Sequence, residues 1–353
     1  MADRRASPPC GVRAMSEAPA GWDDAAARGP GGHVMQSSAW AAIREGQGWT
    51  AEFLRPAGAH ALVLWRPLPG GGRFGYCPRG PVAATGQLPD VFGALAAHAK
   101  ATPGALVLKV DPERTADEAG PALTAAGFRR GPDIQPVVAT LEESLLDRTD
   151  DELLASLDKD TRWSVRQPQK RGGAVYQGTT DDDLGAFYDL YALTGRRAGF
   201  ITRTAAYYRT VWRTLLEADL ATLWLADHEG RPVAGAMTWH CGDREVYQYG
   251  ATNDAGRKVY AAYGLLWRCI VEARARGART FDFGGIPADP ADADDPMHGP
   301  YLFKKGFGGT VTHWVGAHDT VPRPLAYRAF LLLEPAYTRA LQLVRRRGRG
   351  GGE

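Results

Sequence analysis

Apolar and polar residues along this chain follow one pattern twice. In the first half, two apolar stretches joined by a glycine-rich turn predict a β-hairpin, a helical segment follows, and a third apolar stretch predicts a buried strand. These elements are 61–65 and 74–77 for the hairpin, 91–100 for the helix and 105–111 for the strand.

The second half repeats this order. The predicted hairpin strands are 232–239 and 245–249, the helix is 261–276 and the following strand is 280–283. Each unit then ends at a Gly-Phe pair, and the spacing from hairpin to third strand is nearly equal in the two halves. Hairpins interleaved with helices predict an α/β (α+β) protein with two units and mixed sheets.

Other segments surround these units. Helices are predicted at 151–157 and 184–194, the second with an apolar stripe. Residues 1–32 lack periodic apolar positions and are predicted to be disordered, with Met15 as an alternative start. Residues 324–344 predict an amphipathic helix interrupted by proline, which either packs on the protein or lies on a membrane surface.

Composition excludes several classes of protein. The chain has 353 residues, of which 44% are hydrophobic and 23% charged, as expected for a globular protein of two domains. We expect a cytoplasmic protein, because no apolar run approaches the roughly 20 residues of a membrane span and no apolar segment follows the N-terminal arginines. The four cysteines are far apart and the histidines do not cluster, so we expect neither a metal nor a cofactor.

A lysine lies among aromatic residues and glycines near the end of the second unit. Residues 281–287 predict a strand ending in a glycine turn, and residues 301–309 place Lys304 and Lys305 beside three aromatics and three glycines. Glycines allow a backbone to approach a ligand closely, and a lysine there can contact a phosphate or a developing oxyanion. Taken alone, the segment is also typical of a loop with two solvated lysines.

Twin α/β units of this kind suggest acyl-CoA N-acyltransferases, which bind pyrophosphate at a glycine-rich turn opening a helix. The corresponding residues, 257–264, lack those glycines and include Tyr260, which disfavours acyl-CoA. Sequence motifs of metalloproteases, P-loop enzymes and serine hydrolases are absent.

Two sets of basic residues have helical spacing. Arg203 and Tyr207 are four residues apart, which on a helix would suit an anion held beside a hydroxyl, or equally an arginine over a surface ring. Arg162, Arg166 and Lys170 would lie on one helix face and meet phosphates of tRNA or of a precursor, or simply solvent.

Seven segments in order resemble the Fem-type (FemABX) peptidyltransferases, from about residue 35 to about residue 318. The segments are 36–44, 108–113, 158–172, 203–208, 246–251, 281–286 and 301–304. The resemblance implies two tandem acyl-CoA N-acyltransferase-like (GNAT-like) domains without the helical-arm insertion of some members. It divides the chain into 33–145, completed by 315–344, and 146–314, with 345–353 as a basic tail.

The resemblance also implies roles for individual residues. Lys304 matches a functionally required lysine that holds a phosphate or stabilises charge at the ester carbonyl, and Asp111 matches an acidic residue considered as a general base. Substrate-binding positions are implied for a further set: Arg44, Arg203, Tyr207, Tyr249 and Phe303.

The implied activity is transfer of glycine, alanine or serine from aminoacyl-tRNA to the stem-peptide amine of a peptidoglycan precursor, lipid-linked or nucleotide-linked. The implied partners are therefore aminoacyl-tRNA and that muramyl-pentapeptide precursor, with a peripheral contact at the inner membrane face. Two alternatives stay open: the same chemistry on another amine, such as an antibiotic or a lipid, and a relative that only binds a muropeptide or RNA.

Overall fold

The structure, a computed structural model, describes residues 14–68, 71–135, 137–199 and 202–329. Its described part contains two seven-stranded mixed sheets with helices packed against them. The predicted order of hairpin, helix and strand is confirmed in both halves, because in each sheet a hairpin is followed by a helix and by a strand parallel to the hairpin's second strand. The fold class is therefore α/β with two units of the same plan, as predicted.

The first sheet has one parallel pair, β4 (Arg73–Cys77) with β5 (Ala105–Val110), and its other named neighbours are antiparallel. In spatial order its strands are β1 (Ala14–Met15), β2 (Thr50–Leu54), β3 (Ala61–Pro67), β4 (Arg73–Cys77), β5 (Ala105–Val110), β14 (His318–Thr320) and β6 (Arg129–Arg130).

The second sheet has the same plan, with β11–β12 as its parallel pair. In spatial order its strands are β8 (Ala174–Gly178), β9 (Ala221–His228), β10 (Arg231–Cys241), β11 (Arg244–Thr252), β12 (Thr280–Gly285), β7 (Ala139–Ser144) and β13 (Thr310–His313).

The helices begin at residues that suit helix starts. Thr115, Thr149 and Thr180 each cap a helix and are answered three residues later by a carboxylate. The helices are α1 (Trp22–Ala26), α2 (Ser38–Glu45), α3 (Leu88–Ala101), α4 (Ala116–Ala125), α5 (Asp150–Ser156), α6 (Lys159–Ser164), α7 (Gln167–Lys170), α8 (Asp181–Ala198), α9 (Ala205–Glu217), α10 (Asp254–Lys258), α11 (Ala261–Ala275) and α12 (His298–Lys305), with short 3₁₀ turns at Val34–Gln36, Pro56–Gly58 and Thr85–Gln87. In the described ranges, none of these helices combines the length and the apolar character that crossing a membrane needs.

Each half contributes one strand to the sheet of the other half. β7 follows the first unit in the chain but lies between β12 and β13, and β14 follows the second unit but lies between β5 and β6. The first-domain boundary predicted at residue 145 is thus wrong, because residues 139–144 hydrogen-bond in the second sheet. The position of β7 between the two units of the sequence does not show which sheet the strand joins.

The predicted disorder of residues 1–32 is wrong from residue 14 onward. Trp22 in α1 is only 2% exposed, packs edge-on against Phe53 and donates its indole N–H to the carbonyl of Gln36 at 2.8 Å. Burying one tryptophan anchors this segment although its composition is rich in small residues. The helix predicted at 324–344 is described only to residue 329, and its proline and the basic tail lie outside the described residues.

An extra residue in β11 connects the two cores. Met237 of β10 faces Tyr249 while the next residue, Thr238, faces Tyr247, so Gln248 is the additional residue of a β-bulge. The bulge breaks the alternation of side chains. Tyr249 consequently packs on a core shared by both halves, whereas Tyr247 packs on the core of the second half.

Candidate functional site

Lys304 is almost completely buried at the end of α12, with 7% of its surface exposed. Its ammonium donates a hydrogen bond to the carbonyl of Gly285 at 2.7 Å. Burial lowers the pKa of this lysine from 10.5 to about 8, an effect that the carboxylate of Asp282 opposes. The side chain is therefore largely charged at neutral pH yet close to the range in which it can lose its proton.

The backbone around this lysine leaves the parallel pair incomplete. The ladder between β11 and β12 ends at the pair formed by Val246 and Asp282, although β11 continues to Thr252. Gly284 follows with a left-handed φ of 73°, and a Cβ there would lie 2.7 Å from the carbonyl oxygen of Tyr247. Only glycine fits that position, because its backbone lies close against β11 just beyond the last pair of the ladder.

An ion network that includes Asp282, the carboxylate near Lys304, joins the two halves. Arg244 of β11 contacts Asp282 at 3.2 Å, Glu142 of β7 at 3.4 Å, and Glu113, which follows β5 in the first half. Arg79 adds a second cation 3.4 Å from Glu113. Although burial opposes it, the cations hold the pKa of Glu113 well below its usual range, whereas burial raises the pKa of Asp282 to about 6.

Asp111 lies at the first-half end of this network. One carboxylate oxygen accepts a hydrogen bond from the hydroxyl of Tyr76 at 2.6 Å, and the other accepts one from the backbone N–H of Arg79, also at 2.6 Å. Burial raises the pKa of Asp111 to about 6, against the effect of the Arg79 charge. Since both oxygens already accept hydrogen bonds, this geometry suits orientation of Tyr76 better than proton removal from an incoming amine.

Four predicted substrate-binding residues lie near one another where the halves meet. The Arg203 guanidinium is 4.7 Å from the centre of the Tyr207 ring, and Arg44 of α2 lies within electrostatic reach of both side chains. Burial, together with the Arg203 charge, lowers the pKa of Arg44, which the Tyr207 hydroxyl partly offsets. Tyr249 is half-buried and packs on the same core as Tyr207, and burial together with the neighbouring tyrosines raises its pKa.

The helical pairing predicted for Arg203 and Tyr207 is wrong. The helix α9 begins at Ala205 after the Thr204 cap, so Arg203 precedes it. The contact between the arginine and the ring exists nevertheless, because the extended residue at the cap folds the guanidinium back over the first turn.

The single basic helix face predicted for Arg162, Arg166 and Lys170 is also wrong. Arg162 lies in α6 and Lys170 ends α7, with Arg166 between the two helices. Pro168, at the second position of α7, has no N–H to continue a ladder from α6, so the chain turns there. The basic residues thus lie on a bent segment rather than on one stripe.

Phe303 belongs to an aromatic group on the opposite side of the second sheet from Tyr249. Its ring is 4.9 Å from Tyr263 of α11 and 5.6 Å from Phe307. These contacts fix α12 against α11 and hold Lys304 in its orientation. We therefore place Phe303 as a support for the lysine.

Sequence reasoning missed the ion network. Glu113 and Asp282 stand within the quoted segments but were given no role, and Arg244 and Arg79 were not singled out. A signal existed for one of them, because Asp282 is a charged residue within an otherwise apolar strand. No cluster of three or more metal-ligating side chains occurs among the described residues.

Known proteins resemble this chain in sequence and in fold. A family model described as an acetyltransferase (GNAT) domain matches residues 159–301, the part that contains the interrupted parallel pair. The chain is 25% identical to lipid II:glycine glycyltransferase of Staphylococcus epidermidis, over 91% of this chain and 95% of that protein. Identity to the protein of the same name from Staphylococcus aureus strain USA300 is 24%, over 88% and 93%.

Solved structures show the same fold. A crystal structure of FemX superposes with a TM-score of 0.79 at 24% identity, covering 91% of this chain and all of that one. The C-terminal domain of a putative lysylphosphatidylglycerol synthetase from Agrobacterium fabrum gives a TM-score of 0.51 at 16% identity, over 84% and 91%. The chain is similar along most of its length to Fem-type proteins and shares their fold, which confirms the resemblance that its motifs indicated.

Proposed function

We propose that this protein transfers an amino acid (glycine first, with alanine and serine as alternatives) from aminoacyl-tRNA to the stem-peptide amine of a peptidoglycan precursor. The observation that carries the proposal is the buried ammonium of Lys304 beside the interrupted β11–β12 pair. Two relatives that align along most of the chain are named lipid II:glycine glycyltransferases, which supports glycine as donor and a lipid-linked acceptor.

The reaction needs charge stabilisation more than it needs a strong base. The amine nitrogen attacks the ester carbonyl carbon, an N–C bond forms, and the carbonyl oxygen carries negative charge until the ester C–O bond breaks. The proton lost by the amine ends on the departing ribose hydroxyl. A protonated Lys304, with a pKa of about 8, can donate a hydrogen bond to that oxygen, an effect worth about 10²–10³ in rate in comparable sites.

The acceptor is assigned to the junction between the halves. Arg44 and Arg203 offer two positive charges, and Tyr207 and Tyr249 lie beside them, an arrangement that suits an anionic muramyl-peptide precursor. Asp111 serves there as a positioning residue for Tyr76. A lipid-linked precursor would bring the protein to the cytoplasmic face of the membrane as a peripheral partner.

A transfer assay tests the proposal. Purified protein is mixed with lipid-linked or nucleotide-linked muramyl pentapeptide and with tRNA charged separately with labelled glycine, alanine or serine, and acyl-CoA serves as a control. We expect label in the precursor that disappears when the charged tRNA is pretreated with RNase. Transfer from acyl-CoA, or no transfer to either precursor from any charged tRNA, would contradict the proposal, and transfer to another amine would replace its acceptor.

A further inference from the structure

Trp163 is unusually exposed for a tryptophan, with half of its surface open to solvent. It lies in α6 and meets the ring of Tyr260 edge-on at 5.1 Å. A large apolar ring is normally buried, since burial of such a ring contributes strongly to folding. An exposed indole that is held in place by a second ring is suited to stacking against a flat ligand.

Tyr260 is itself held in an uncommon backbone conformation. It caps the start of α11 with φ 61° and ψ 27°, the left-handed region, which is strained for a bulky residue. The Arg171 guanidinium lies 5.1 Å from its ring centre and donates to the carbonyl of Lys258 at 2.7 Å. The contacts fix the ring where a glycine would be less strained.

An aromatic path leads from this surface to the catalytic lysine. The Tyr260 ring is 6.1 Å from Tyr263, and Tyr263 is 4.9 Å from Phe303, the residue before Lys304. A chain of rings therefore connects the exposed Trp163 with the lysine across the start of α11.

The surroundings of the path are basic. Residues 161–171 contain four basic and no acidic side chains, and Arg166 and Lys170 are exposed. Lys258 is exposed on the other side of Tyr260. Aromatic rings that stack on bases, interleaved with cations that follow a phosphate backbone, are the common means of binding single-stranded nucleic acid.

We propose that Trp163, Tyr260 and Arg171 form a platform for the single-stranded 3′ end of an RNA and direct its terminal ester toward Lys304. A base stacks on the exposed indole, and Arg166 and Lys170 meet the phosphates. The inference rests on the proposed function, since it takes the RNA of the aminoacyl donor as its ligand. Tyr260 thereby replaces the glycine turn that a pyrophosphate would need.

Binding is measured first, with a fluorescein-labelled single-stranded oligoribonucleotide that ends in CCA. We expect Trp163→Ala to weaken its binding about tenfold or more, Trp163→Phe to recover most of the loss, and Arg171→Gln to weaken it less. The matched controls are Tyr176→Ala, another exposed ring of the same half, and Arg268→Gln, a cation paired with Glu272; both should bind as the wild type does.

Transfer kinetics separate this inference from the proposed function. With charged tRNA, Trp163→Ala should raise the KM for tRNA while kcat at saturation and the KM for the precursor stay near wild-type values. A wild type that uses charged tRNA, together with a Trp163→Ala variant of unchanged tRNA affinity, would overturn the platform alone. A wild type that does not use charged tRNA would overturn both. Loss of binding to anionic phospholipid vesicles without loss of RNA binding would instead assign the surface to a membrane.

Discussion

The two halves of the molecule share a strand order but differ at their parallel pair. In the first half, β4 and β5 stay paired from Arg73 and Ala105 to Cys77 and Val110, the ends of both strands. In the second half, the ladder stops at Val246 and Asp282 while β11 runs on. The same fold thus gives one closed sheet and one sheet with an opening beside a buried lysine. The difference lies in local backbone geometry at Gly284 rather than in the strand order.

The largest expected loss of transfer activity comes from removing Lys304. Lys304→Met should reduce transfer about 10³-fold, because the developing oxyanion loses its donor, while Lys305→Met should change transfer little. Lys305 is exposed and lies 6.0 Å from the Tyr301 ring, so it is a matched control on the same helix. The transfer rate with charged tRNA and the midpoint of unfolding are measured for both variants, so that a loss of activity can be distinguished from a loss of folding. Near-normal transfer by the Lys304 variant would exclude this site.

Removing Arg244 should weaken the connection between the halves. Arg244→Met leaves the buried carboxylates of Glu113 and Asp282 without their main cation, which should lower the free energy of unfolding by about 3–5 kcal/mol. Arg268→Met removes an exposed pair with Glu272 and should cost less than about 1 kcal/mol. Urea denaturation of the two variants compares them, and equal losses would show that the network contributes no more than a surface pair.

A glycine in each half tests the opening directly. Gly284→Ala places a Cβ against the Tyr247 carbonyl and should cost about 3 kcal/mol together with most of the transfer activity. Gly127→Ala has the same backbone strain, with φ 81°, but open space around it, so about 1–2 kcal/mol and normal transfer are expected. Thermal unfolding and transfer rates are compared side by side. If both variants keep full activity, the turn at Gly284 does not shape the site.

A variant of Arg203 tests whether the acceptor binds at the junction between the halves. Arg203→Ala should weaken precursor binding about tenfold and leave tRNA binding unchanged, since one charge-assisted contact is lost. Arg209→Ala, an exposed arginine of the adjoining helix, is the control. Titration calorimetry with the nucleotide-linked precursor measures both variants. A selective loss of tRNA binding would reverse the assignment.

The smallest effect is on the pH profile. Lys304 is charged below its pKa of about 8 and neutral above it, so transfer should fall as the pH rises through 8. Lys304→Arg keeps its charge, so whatever activity it retains should lack this alkaline limb. Because the folded protein binds this proton less tightly than the unfolded chain, the lysine's contribution to stability should increase from about pH 8 to the unfolded pKa. If the transfer rate of Lys304→Arg still falls as the pH rises through 8, a group other than Lys304 causes that fall.

Much of the fold was predictable from sequence, and less of the site. The apolar run 105–110 correctly predicted a strand, and the apolar stripe of α8 correctly predicted a helix. In both elements the residues that form the apolar pattern are the ones that the fold buries. The exchange of β7 was not predictable, since a strand's pattern shows that it is half buried but not which sheet it joins. The predicted basic helix failed at Pro168, a residue that spacing arguments passed over.

The site residues followed a similar division. The glycine and aromatic neighbours drew attention to Lys304 and Lys305 together, and the family resemblance singled out Lys304; its burial gives a physical basis for a functional role. Arg244 could not be identified, because its three acidic partners come from strands or strand ends far apart in sequence. Contacts of that kind depend on tertiary structure, which no local window contains.

The exchanged strands have a consequence for how the protein is made. On the ribosome, the first sheet keeps a vacant position between β5 and β6 until residues 318–320 emerge, and β7 waits for β12, which is translated much later. A nascent chain that exposes such open edges is prone to pair with other chains. We therefore expect the newly made first half to depend on rapid completion of translation or on a chaperone, and the finished molecule to hold its halves together through backbone hydrogen bonds in both sheets.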